Sequence, residues 1–345
     1  MKPRLLEILV CPLCQADLRL TSDDDGEEII EGRLDCPAGD TFPISGGIPR
    51  MVPPDITPDK VDTAKRFGWS WDVFDEMHEE HREQYLDWIW PIEPAFFEDK
   101  VVLEGGCGIG RHTECAASFR AREVIAIDLG PAVEIAYRNV GHLPNVHIVQ
   151  ADIYRPPFRI EGGRRDFDFV FSIGVLHHLP DPEAGFASLV RLLKPGASIF
   201  GWVYGEENNS VVHYFINPLR KTVTSHLPGR VLLALAWPLA LLLQGLVKAV
   251  YHPLRTTRIF RFLPSHAYLD SLAAFSFRQN YGIVFDHLTA PTAFYIKGSE
   301  FQEWFRRQGL EELEFSWRNE NSWRGRGRRS AKAAAAVGQS EGPGA

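Results

Sequence analysis

Val101-Val102-Leu103-Glu104-Gly105-Gly106-Cys107-Gly108-Ile109-Gly110 decides how this chain folds. An apolar, strand-like run at 100–104 stops at a glycine-rich turn, and a helix-compatible stretch follows at 111–120. Apolar runs of the same kind recur at 123–127, 146–150, 168–172 and 198–204, with helical stretches at 131–140 and 182–193. Alternation of this sort predicts βαβ units, a parallel sheet with helices on both faces. Asp181-Pro182 supplies an N-cap and first-turn pair for the 182–193 helix, and Lys194-Pro195-Gly196 is expected to end it. A further helix at about 298–308 leads to a strand at 310–317.

In an open α/β sheet, ligands bind beyond the carboxyl ends of the strands, at the switch point. Glycines there let the main chain approach a ligand closely. The spacing is G-x-G-x-G, at Gly106, Gly108 and Gly110. It is not the dinucleotide G-x-G-x-x-G, because the sixth position is Arg111, and it lacks the Gly-Lys-Ser/Thr of a P-loop. A glycine loop alone reads equally well as a tight turn. The acids around it add weight. Glu104 ends the first strand, Asp128 ends the second, and Asp152 follows the third in Ala151-Asp152-Ile153. A carboxylate at Asp128 can hold two ribose hydroxyls, and one at Asp152 can accept from an adenine amino group. Acids at three successive strand ends are hard to ascribe to solubility.

This ordered set resembles the class I S-adenosylmethionine-dependent methyltransferases, nearest the small-molecule branch that includes quinone-biosynthesis enzymes. The resemblance also rests on Val175-Leu176-His177-His178-Leu179 and on Leu192-Leu193-Lys194-Pro195-Gly196-Ala197. It covers about 100–204 and the 298–328 end. It implies a Rossmann-like, doubly wound, mostly parallel seven-stranded sheet with S-adenosylmethionine as cofactor. By that resemblance Gly106, Gly108 and Gly110 frame the methionine part, and Glu104 helps orient its amino group. Asp128 then binds the ribose, Asp152 and Ile153 flank the adenine, and Ser172 lines the pocket. Methyl transfer from a sulfonium is an in-line displacement, so positioning and exclusion of water supply most of the effect. A base is needed only for a poorly ionised acceptor. His177, His178 and His287 are the candidates, each with the alternative that it only shapes the pocket.

The N-terminus reads as a small β unit of its own, with the acidic run 23–28 as a hairpin loop. Cys11-Pro12-Leu13-Cys14 is a knuckle, and Cys36 lies 22 positions on. A closed structural zinc site needs four ligands. No second C-x-x-C exists, since Gly39 occupies that position, which leaves Asp40 as the expected fourth ligand. The segment resembles zinc-ribbon heads carried by some methyltransferases, in which a histidine would stand at Asp40. The alternative is a ribbon that folds around reduced thiols without metal.

The 345-residue chain carries 37 basic and 45 acidic residues, a net charge of −8. That argues against a general nucleic-acid binder. Five cysteines are too few, and odd in number, for a disulfide framework, and point to a reducing, cytoplasmic setting. Met1 to Val10 shows no secretory pattern. Residues 208–269 contain no Asp or Glu but seven bases: Arg220, Lys221, Arg230, Lys248, Arg255, Arg258 and Arg261. Within this insert, Val231 to Val247 is uncharged, shorter than the roughly 20 residues of a span and expected to kink at Pro238. It reads either as a buried lid helix or as a lid that also touches an anionic membrane surface. Both imply a small or lipid-like acceptor.

The aromatics of 60–98 (Phe67, Trp69, Trp71, Phe74, Tyr85, Trp88, Trp90) read first as core packing. The organisation expected is a zinc-ribbon-like unit at 1–52, a linker and aromatic helical segment at 53–98 and a core at 99–205. An apolar basic insert at 206–290, the end of the core at 291–328 and a disordered tail from 329 to 345 follow, with Arg/Gly-rich sequence from Arg324 onward read as unstructured. Two rival functions stand beside small-molecule methylation: a ribosomal RNA methyltransferase, and a cofactor-binding module without catalysis.

Overall fold

The computed structural model describes residues 1–24, 26–77, 80–160, 167–209, 217–289 and 293–331. The expected tail at 332–345 and part of the insert, 210–216, lie outside them. The head forms a four-stranded antiparallel sheet in sequence order: β1 (Arg19–Thr21), β2 (Gly32–Asp35), β3 (Thr41–Ser45) and β4 (Ile48–Pro49). Two helices follow, α1 (Pro58–Val73) and α2 (Glu80–Ile89).

The core then alternates as the apolar runs predict. Its elements are β5 (Val101–Gly105), α3 (Arg111–Ser118), β6 (Glu123–Asp128), α4 (Ala132–Val140), β7 (Val146–Gln150), β8 (Phe167–Ile173), α5 (Pro182–Val190) and β9 (Leu193–Tyr204). β5 is buried along its whole length, as a strand covered on both faces must be. The Asp181 side chain accepts from Ala184 N at 3.0 Å and caps α5. Lys194-Pro195-Gly196 does not sit beyond that helix as a turn. It lies inside β9, where the pairing with β8 shifts register and Gly196 takes φ +79°.

The described residues of the insert hold the α-helices α6 (Asn217–Thr222), α7 (Gly229–Leu246), α8 (His252–Leu254), α9 (His266–Ser271) and α10 (Phe277–Thr289), with α7 continuing through a π-helical turn, Val247–Tyr251, into α8. The chain ends in α11 (Gly298–Arg307), β10 (Leu310–Arg318) and β11 (Ser322–Arg329). The seven-stranded sheet has the order β10-β11-β9-β8-β5-β6-β7, parallel from β9 to β7, with β11 antiparallel to both neighbours. β5 lies where the winding reverses, so its carboxyl end opens onto the switch-point crevice.

β11 occupies sequence that its Arg/Gly composition marked as unstructured. Period-two alternation explains the difference. Gly325 and Gly327 share one face, where an added Cβ would stand 2.7 Å from Phe315 and 2.9 Å from Phe305. The arginines between them face the other way and are neutralised: Arg326 by Glu314 at 3.8 Å and Arg328 by Glu312 at 3.0 Å.

The head does not stand apart as its composition suggested. Met51 N donates to Gln150 O at 2.8 Å and Val10 N to Pro157 O at 2.9 Å, which ties the head to the β7 edge and to the segment that follows it. Lys2 Nζ donates to the carbonyls of Gly141 and Val146, each at 2.8 Å. Leu5, Phe42 and Ile44 join Ile127, Val149 and Phe158 in one apolar cluster. An otherwise exposed sheet edge is thereby covered.

Candidate active site and metal centre

Gly106, Gly108 and Gly110 have φ of +86°, +52° and +88°. L-residues with a Cβ rarely adopt these angles. At Gly106 a Cβ would also meet Val175 at 2.4 Å, and at Gly110 it would meet Val140 at 2.9 Å. The turn is therefore built from glycine for steric reasons on both counts. Asp128 at the end of β6 ties it down. One carboxylate oxygen accepts from Gly108 N at 3.0 Å and the other from Gly130 N at 2.9 Å. Burial pushes the Asp128 carboxyl up, and these backbone donors pull it back.

Above this turn lies a cavity of about 330 Å³. Gly106, Gly108, Asp128, Asp152, Ile153, His178 and His287 all line it. Gly106, Asp128 and Asp152, at three successive strand ends, thus converge on one space. Glu104, Gly110, Ser172 and His177 are not among the lining residues. Glu104 is buried one layer below, where it accepts from Thr113 Oγ1 at 2.5 Å and lies 3.3 Å from His112 Nδ1. Burial raises its carboxyl to about 8. Ser172 Oγ donates to Gly105 O at 2.8 Å and supports the turn from behind. The His177 ring is fully buried, and burial drives its pKa well down.

Sequence reasoning missed the roof of the cavity. Phe67, Trp71, Phe74 and Trp88 line it, four of the seven aromatics first read as core. Trp71 stands over the turn, 3.4 Å from where a Gly108 Cβ would lie. Lys60 from α1 reaches across the cavity to Asp152 Oδ2 at 2.8 Å. Arg111 and Asp286 also line the space. Asp286 accepts from Ser70 Oγ at 2.8 Å, and burial lifts its carboxyl to about 6. The aromatic spacing of α1 was visible in the sequence, but nothing local told a lid face from a core face.

In the head, Cys11, Cys14 and Cys36 place their sulfurs within 4.8 Å of one another. Cys14 Sγ and Cys36 Sγ are 3.3 Å apart, and Ala38 N donates to Cys36 Sγ at 3.4 Å. Three convergent thiols with a backbone donor behind one of them fit a structural zinc. Asp40 is not brought into that cluster. Its carbonyl accepts from Cys36 N at 2.8 Å across the Gly39 turn.

Residues 103–201 match the family model described as methyltransferase domain, and residues 2–47 match that described as Trm112p-like protein. The core is an S-adenosylmethionine-dependent methyltransferase domain. Among curated proteins the chain is similar to a ubiquinone biosynthesis O-methyltransferase of Hahella chejuensis, 33% identical over 40% of this chain and 56% of that protein. A malonyl-[acyl-carrier protein] O-methyltransferase of Halalkalibacterium halodurans is 27% identical over 45% of this chain and 59% of that protein. A tRNA U34 carboxymethyltransferase of Cellvibrio japonicus is 29% identical over 33% of this chain and 36% of that protein. The matched region thus spans from about a third to just under two thirds of the length of these three relatives. A solved complex containing the Haloferax volcanii Trm112 methyltransferase activator aligns over 77% of this chain and 98% of that one, at 16% identity and a TM-score of 0.45.

Two outcomes follow for the methyltransferase domain and its head. Asp128→Ala removes the clamp on the turn and the carboxylate expected to hold a ribose. Affinity for S-adenosylhomocysteine, read by calorimetry, is expected to fall ten- to a hundredfold, about 1.5–3 kcal/mol; unchanged affinity contradicts the assignment. Elemental analysis of protein purified without chelator is expected to give one zinc per chain, lost in Cys14→Ser and kept in Asp40→Ala. Metal-free wild-type protein would overturn the metal centre.

Proposed function

We propose that this protein transfers the methyl group of S-adenosylmethionine to a small acceptor with an apolar body, working in the cytoplasm at an anionic membrane surface. One observation carries the reading. The cavity continues from the glycine turn, Asp128 and Asp152 into a space walled by Phe67, Phe74, Tyr204 and Tyr268 under the helical insert. The bound cofactor supplies an electrophilic methyl group, and the chain supplies position and dryness. Asp128 and Asp152 fix the nucleoside end. Trp71 and Phe67 on α1, with α10 beyond them, keep water out. Asp286 and His178 face the same space as proton acceptors for an acceptor that must lose a proton.

The insert supports the membrane part. Gly229–Leu254 is a helix of 26 residues that runs through Pro238 and extends beyond the uncharged stretch 231–247 at both ends. Only 22% of its most apolar window is buried, which supports a contact beyond the protein itself. Leu232 and Ala236 pack on Phe285 of α10, which holds the helix along the protein. Leu235, Trp237, Leu239, Leu241 and Leu242 face out, followed by Ile259 and Phe262. Arg230, Lys248, Arg255, Arg258 and Arg261 are exposed on the same insert, with no acid in 208–269 to cancel them. Each base near an anionic surface contributes about 1 kcal/mol, screened by salt. The reduced cysteines of the head suit the cytoplasm.

RNA as acceptor has less support. The arginine-rich β10–β11 ribbon is internally neutralised, and Arg318 pairs with Asp87. The direct test incubates the protein with labelled cofactor and separate lipid, aqueous and RNA fractions of a bacterial extract. Label is expected in the lipid fraction, and label in RNA alone overturns the acceptor class. No label in any fraction favours a non-catalytic cofactor module. In a parallel sedimentation, binding to vesicles is expected to rise with anionic lipid and fall with salt; negligible binding throughout removes the membrane from the account.

A further inference from the structure

Four arginines line the cavity: Arg111, Arg220, Arg278 and Arg318. Three of them have a carboxylate nearby. Arg278 lies 3.4 Å from Glu76, Arg318 pairs with Asp87, and Arg111 sits in the field of Asp286. Arg220 has none among the described residues. It is on α6 and only 2% exposed. One Nη donates to Asn217 Oδ1 at 2.5 Å, while Nε has no acceptor. Its charged and polar surroundings are Tyr204, Tyr295, His177 and His287. Burial holds both imidazoles uncharged, His287 at about 4. The segment 210–216 that precedes α6 in the chain contains no acidic residue.

A buried guanidinium without an anion is costly, and proteins rarely keep one unless a partner arrives. Its place in the fold says which partner. Asp128 and Asp152 mark the nucleoside side of the switch point, at β6 and β7. Arg220 faces Tyr204 at the far end of β9, on the opposite side of β5. That is the acceptor's side of the cavity. A single fixed positive charge among neutral rings matches a single negative charge, and the planar guanidinium fork matches a carboxylate.

We propose that Arg220 is the counter-ion site for a carboxylate on the acceptor, so that the substrate is an acid with an apolar body. The proposal rests on the methyl-transfer reading above. It turns an apparently wasteful buried charge into a selectivity device: a neutral molecule of the same shape leaves the guanidinium unpaired and binds poorly.

The test uses the full chain loaded with S-adenosylhomocysteine and two probes of equal chain length, octanoate and octan-1-ol, measured by calorimetry. Octanoate is expected to bind at least tenfold more tightly than octan-1-ol. In Arg220→Gln the preference is expected to vanish to within twofold, and Arg220→Lys should restore part of it. Affinity for S-adenosylhomocysteine should stay within twofold of wild type in both variants. The ligand-free Arg220→Gln protein should melt no lower than wild type, because it no longer buries an unpaired charge; a purely structural arginine would lower the melting temperature. Equal binding of the two probes by wild-type protein overturns the proposal whether or not the variants fold. So does a preference that survives Arg220→Gln, or loss of cofactor affinity in that variant, which would assign the guanidinium to the cofactor. Failure of wild-type protein to bind S-adenosylhomocysteine at all would instead defeat the methyl-transfer reading.

Discussion

The structure depends on a main chain that must leave β5 and turn without side chains in the way. Positive φ at Gly106, Gly108 and Gly110 makes the turn, and Asp128 holds it by accepting from Gly108 and Gly130. The parallel pairing of β5 with β6 brings that carboxylate to the turn, residue against residue, from Val101↔Glu123 to Gly105↔Ile127. The same register puts β7 beside β6, so Asp152 emerges one strand farther along the same rim. Sheet geometry thus sets the spacing of the site. The layer beneath, with Glu104 on Thr113 and Ser172 on Gly105 O, keeps the rim rigid.

Everything else is arranged around that rim. The head covers the β7 edge, and α1 runs from the head across the cavity to place Lys60 on Asp152. A cap of α1, α7 and α10 has its own small apolar cluster of Leu232, Ala236 and Phe285, with Trp69 and Phe74 packed against it. Its outer face is apolar and basic at once. Arg220 lies beside this cap, on α6, in the wall of the same cavity.

Strand and helix alternation, the glycine turn and the strand-end acids were legible in the sequence because each is local: a run of apolar residues, a turn, an acid at its end. Residues 101–204 therefore fold close to expectation. Four features were not legible, each for a physical reason. β11 looked unstructured because composition outweighs period-two alternation when glycines and arginines do the alternating. The lid face of α1 looked like core because burial against a cavity and burial against protein select the same aromatic side chains. Glu104 and Ser172 looked like pocket residues because sequence position gives the strand end but not the layer. Asp40 likewise sits at a plausible ligand spacing, yet the Gly39 turn sends its carbonyl, not its carboxylate, toward Cys36.

The central claim is that S-adenosylmethionine lies between the strand ends and α1. Hydrogen–deuterium exchange of the full chain, with and without saturating S-adenosylhomocysteine, tests this most directly. The account predicts slower exchange in three places together: the 105–110 turn, the ends of β6 and β7, and α1 around Lys60 to Trp71. Saturating ligand with no protection at the turn, or protection confined to other parts of the molecule, would contradict it.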